Sequence, residues 1–291
     1  MNNTASRYSL FSNPAFLLMV LIASWISAGF VPYAGNESHW IPALISVTDI
    51  SQLSERWSMY IATGLLIFNA FSLYVIGLKR LNTGKNKFLL PVIYLIFVLV
   101  SPSVLYFSGS SAAASLVLWS LYFITTSKQS DLHFFISGFL ASIAALFEPA
   151  LVLLEFLIIG FALKSRGISA RSLVMMFSSM MIPFLFMLSV RYLLYQDAAI
   201  FTELFAEAVL SADPMQIGLQ SFADLVLYLA LFIVLLSAVW HIAEKRGRFK
   251  IEKARTLTRF VLMLMLMLLI IMLFPGKMSS FAPVISIPAA V

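Results

Sequence analysis

From Pro14 to Phe274 the chain is a succession of long apolar runs broken by short polar turns, and this pattern limits its fold more than any other feature. A soluble globular domain carries about 25% charged residues. Here 11% of residues are charged and 61% are hydrophobic, too few charges to cover a surface facing water. A membrane-spanning helix needs about 20 apolar residues, whereas an outer-membrane barrel strand shows short alternating segments. The runs are continuous, so the expected fold is all-α, a polytopic transmembrane helical bundle.

The runs lie at 14–31, 57–78, 88–106, 110–126, 133–147, 150–163, 172–194, 219–241 and 258–274, about nine membrane segments in a single integral membrane domain over 1–291. The first follows a short polar leader with one charge, Arg7, and lacks a convincing cleavage site, so it reads as an uncleaved span. Segments 133–147 and 150–163 are short, each covering roughly 22 Å of a hydrocarbon core about 30 Å thick. They predict a short helical hairpin at 133–163 that turns at Glu148-Pro149, where a proline is suited to start the second helix. The stretch after Lys277, SFAPVISIPAAV, is too short to cross and reads as the start of a truncated further span or as a membrane-dipping tail.

Positive loops stay cytoplasmic. Sixteen of the nineteen Lys and Arg residues fall in one set of alternate loops, and only Arg56, Arg191 and Lys277 in the other. This split predicts a multi-pass protein of a bacterial inner membrane with a cytoplasmic N-terminus. The net charge of +6 is then an asymmetry between the two sides, and no nucleic-acid partner is implied.

The absence of cysteine excludes disulfides, thiolate metal sites and cysteine nucleophiles. No phosphate-binding glycine loop, G-x-S-x-G elbow or H-E-x-x-H pattern occurs, no metal site is predicted, and no cofactor is indicated. What remains is acids in unusual places and one basic loop. Glu37 and Asp49 lie in the first outer loop, where a carboxylate can act as base or metal ligand toward a lipid-linked substrate at headgroup depth, or stand in an ordinary solvated loop. Glu148 and Glu155 lie at membrane depth, where an acidic side chain needs a partner or a cavity. If one helix starts at Glu148, their spacing puts both on one face. Lys245, Arg246, Arg248 and Lys250 begin a seven-residue basic cluster ending at Arg259, suited to anionic lipid headgroups. Residues 195–218 read as an amphipathic surface helix. Ser137, Ala141 and Ala145, with the cluster 110–115, mark close helix packing, and the Met-rich segments mark filler.

The run from Phe68 to Asp197 carries IFNAFSLYVIGLKRLN, LLPVIYLIFVLVSPSVLYFS, DLHFFISGFLASIAALFEPALVLL and SSMMIPFLFMLSVRYLLYQD in that order. It resembles an uncharacterised Bacteroidetes-type multi-spanning inner-membrane family. More loosely, it resembles the membrane core of polyprenyl-phosphate-dependent glycosyltransferases of the C superfamily. That second resemblance implies an acidic base or metal ligand in the first outer loop, the place held here by Glu37 in AGNESHW with Asp49 beyond it, and a polyprenyl-phosphate-linked substrate.

Three functions are therefore expected in order. The first is a non-catalytic or accessory inner-membrane protein in envelope assembly, with membrane lipids and a membrane protein as partners, because no site of converging polar groups is evident. The second is a glycosyltransferase-like enzyme using a lipid-linked sugar donor, and the third is a small transporter, for which the 133–163 hairpin is the candidate broken helix.

Overall fold

In the computed structural model, residues 19, 22, 55–78, 88–99, 102–126, 130–165, 168–195, 222–245, 251–273 and 278–291 are described. They form nine helices and no strand: α1 (Glu55–Ile76), α2 (Leu89–Leu99), α3 (Gly109–Ile124), α4 (Asp131–Phe147), α5 (Val152–Leu163), α6 (Ala170–Tyr195), α7 (Phe222–Lys245), α8 (Ile251–Leu273) and α9 (Met278–Ala290). Three of them contain apolar stretches long enough to cross a membrane, Arg56–Ile76, Ala170–Val190 and Ala254–Ile271. The expected single crossing at 88–106 is instead the 11-residue α2, about 16 Å long, followed by a 3-10 turn over Pro102–Leu105.

Local chemistry sets the helix limits. Ser108 caps α3 by accepting from Ser111 N at 3.2 Å, and the Ser111 hydroxyl returns a bond to the Ser108 carbonyl at 2.7 Å. Ser130 opens α4 through the His133 ring, its backbone N–H donating to His133 Nδ1 at 3.3 Å and its Oγ lying 2.6 Å from the same nitrogen. Between α4 and α5, Glu148 is extended (φ −142, ψ 97) and Pro149 starts a 3-10 turn. The proline ring disfavours helical geometry at the preceding residue, so α4 stops there and the chain reverses. The Ser142–Glu155 contact runs across this reversal, so the predicted hairpin is present.

Apolar side chains fill the interior and also face outward. Large apolar residues point outward, as on α6 with Val174, Phe177, Met181 and Leu185 and on α7 with Phe232, Ile233, Leu236 and Trp240. Serines are buried between helices, where small side chains let backbones approach. Ser120 and Ser137 clasp α3 to α4, the Ser120 hydroxyl donating to the Ser137 carbonyl at 2.8 Å and the Ser137 hydroxyl to the Ser120 carbonyl at 3.0 Å. Gly138 brings α4 closest to α6, since a Cβ there would lie 2.9 Å from the Met176 carbonyl oxygen. The Met-rich segments divide as filler and outer face: Met176, Met180, Met263 and Met267 are buried, Met181 and Met265 exposed.

The tail corrects its expectation. Residues 281–290 are buried on every side, and α9 packs among α2, α3, α7 and α8 instead of dipping into lipid. A helix apolar all round is a core helix. Pro283 and Pro288 fit within it, and the Ser286 hydroxyl is taken up by the Ala282 carbonyl at 2.6 Å.

Candidate functional site

The candidate carboxylates and the basic segment end up in separate places. Glu37 and Asp49 lie outside the described residues, as do Arg246, Arg248, Lys250 and, beyond Tyr195, the expected surface helix at 195–218, while Lys245 is the last residue of α7. Glu148 is buried at the α4–α5 turn and accepts from Ser110 Oγ at 2.7 Å, near the N-terminal end of α3. That position suits a carboxylate, since the helix N-terminus carries positive partial charge. Glu155, half-buried, accepts from Ser142 Oγ at 2.8 Å. The one-face pairing of these two acids fails for a local reason. Glu148 is outside the helix that carries Glu155, which begins only at Val152, so the two engage different helices, α3 and α4.

The basic loop is also shorter than expected. α7 runs to Lys245 and α8 begins at Ile251, which carries Arg255 and Arg259 into a helix. Arg259 is 6% exposed. Its guanidinium donates to the Ile124 carbonyl at 2.8 Å, the Phe161 carbonyl at 3.3 Å and Ser165 Oγ at 2.9 Å, and lies 5.6 Å from the Phe161 ring centroid. Two of these acceptors are carbonyls at the C-terminal ends of α3 and α5, where the helix carries negative partial charge that favours a cation. The sequence pattern groups Arg259 with the basic residues before it, and its role comes from the neighbours that the fold brings to it.

These contacts define two ends of the bundle. At one, Phe107 N donates to Ser58 Oγ at 2.9 Å and Ser110 meets Glu148. At the other are the Arg259 cluster and Asp131, which accepts from Ser172 Oγ at 2.5 Å and pairs with Arg171 at 3.5 Å. Between the ends, Asn69 Nδ2 donates to Tyr94 Oη at 3.1 Å, joining α1 to α2. Among the described residues no group of three His, Asp or Glu side chains is placed to hold a metal ion. Glu148, Glu155 and Arg259 make hydrogen bonds to neighbouring helices and helix ends. No protein-family model, curated protein or solved structure matches the chain.

Proposed function

We propose that this chain is a non-catalytic, accessory protein of a bacterial inner membrane that serves envelope assembly as a multi-pass helical scaffold, with its N-terminus cytoplasmic. The observation that carries this reading is how the membrane-depth polar groups are used. Glu148, Glu155 and Arg259 each hydrogen-bond to a neighbouring helix or helix end. Charged groups at such depth are costly and mark transport paths or reaction sites when they face a cavity. Here each has a tie to make.

Three helices supply crossings by length and composition. The shorter apolar helices complete the proposed nine-segment topology as hairpins and core pieces. The alternation of ends supports the orientation, because Lys164, Arg171 and Arg255 fall at the Arg259 end.

The experiment is complementation of a deletion strain by the Glu37→Ala, Asp49→Ala double variant. Full complementation is the expected result. Loss of complementation at normal membrane abundance would overturn the proposal in favour of a glycosyltransferase-like enzyme acting on a lipid-linked sugar.

A further inference from the structure

Among the described residues, four buried side-chain polar atoms make no hydrogen bond: Asn69 Oδ1, Ser72 Oγ, Ser115 Oγ and Trp119 Nε1. All four belong to α1 and α3, which pack against each other. The rings of Phe68 and Trp119 stack with centroids 6.4 Å apart, which fixes the level at which the helices meet. Asn69 follows Phe68 directly and Ser72 lies one turn beyond it. Ser115 lies one turn before Trp119. The unmatched atoms therefore spread along roughly 12 Å where α1 and α3 meet, with the Asn69 amide also reaching Tyr94 on α2. Elsewhere buried hydroxyls are paired, as at Ser110, Ser120, Ser137, Ser142 and Ser165.

The chemistry of the cluster selects its ligand. An amide oxygen only accepts, an indole N–H only donates, and a hydroxyl does both. Water satisfies such a mixed set, and buried water characteristically makes about three hydrogen bonds to otherwise unmatched groups. The serines have another outlet, rotation onto a carbonyl one turn earlier, as Thr63 and Thr125 do. Trp119 Nε1 has no such outlet. Turning the Asn69 amide over only exchanges which of its atoms is left unmatched.

We propose that the α1–α3 seam is an internal water-binding site formed by Asn69, Ser72, Ser115 and Trp119. Each of the four atoms has less than 1 Å² of accessible area, so water enters as side chains rotate.

The test is magnetisation transfer from water to assigned tryptophan indole N–H groups, by solid-state NMR on the full chain in phosphatidylcholine and phosphatidylglycerol bilayers. Transfer to Trp119 is expected, falling at least twofold in the Ser72→Ala, Ser115→Ala variant. That variant should also unfold at a lower temperature, because the bound waters lose a hydroxyl partner at each end of the seam. In a dry seam the same substitutions remove unmatched hydroxyls and raise the midpoint. Absence of transfer to Trp119 in the wild-type bilayer sample, with transfer present at the exposed Trp57, overturns the proposal without reference to any variant.

Discussion

Arg259 on α8 donates to Ser165 Oγ at 2.9 Å, and the same Ser165 hydroxyl donates to the Phe161 carbonyl at 2.8 Å, so one guanidinium and one hydroxyl close the end of α5. Nη1 reaches the Ile124 carbonyl as well, which binds α3 to the same point. Three segments far apart in sequence depend on this side chain.

Arg259→Ala should therefore destabilise the bundle by roughly 3 kcal/mol, since charge-assisted hydrogen bonds are each worth more than neutral ones and those made here are lost together. Arg259→Lys should recover only part, because an ammonium lacks the planar fork that spans two carbonyls and a hydroxyl. Unfolding midpoints in detergent micelles check this, and a wild-type midpoint for the alanine variant would remove the clasp from the account.

Two glycines give opposite expectations. A Cβ at Gly138 would lie 2.5 Å from Ser179 Oγ and 2.9 Å from the Met176 carbonyl, whereas a Cβ at Gly160 meets nothing within 4 Å. Gly138→Ala should cost about 1–3 kcal/mol through overpacking of α4 against α6. Gly160→Ala should be neutral or stabilising by up to about 1 kcal/mol, as expected for a helix-interior glycine with free space around it. Equal midpoints for the two variants would contradict the close approach.

The helical class and the hairpin were legible because continuous apolar runs and a Glu-Pro break are local signals. The tight packing of α4 was legible from Ser137, Ala141 and Ala145, all buried. Other features depend on tertiary neighbours. Nothing local distinguishes Arg259 from Arg255 one turn earlier; only its proximity to Ile124 and Phe161 makes it a cap. The apolar tail was misplaced because a core helix and a lipid-facing one share the same composition, and α9 is told apart by what surrounds it. A shared face for Glu148 and Glu155 requires unbroken helix through Pro149, whereas Glu148 is extended and Pro149–Leu151 is a 3-10 turn.

Orientation is checked by membrane-impermeant thiol labelling, for which the cysteine-free chain is a clean background. Ser38→Cys and Ser211→Cys should label from outside, and Gly84→Cys only after permeabilisation. Outside labelling at position 84 would invert the topology.

Membrane-depth acids that tie helices together tolerate loss of their charge, whereas those in a reaction or transport path do not. The most direct measurement combines deletion-strain complementation with unfolding midpoints for the Glu148→Gln, Glu155→Gln double variant. Glutamine keeps an oxygen to accept from Ser110 and Ser142, so the account predicts full complementation with a midpoint lowered by no more than a few degrees. Loss of complementation at a wild-type midpoint and normal membrane abundance would contradict it.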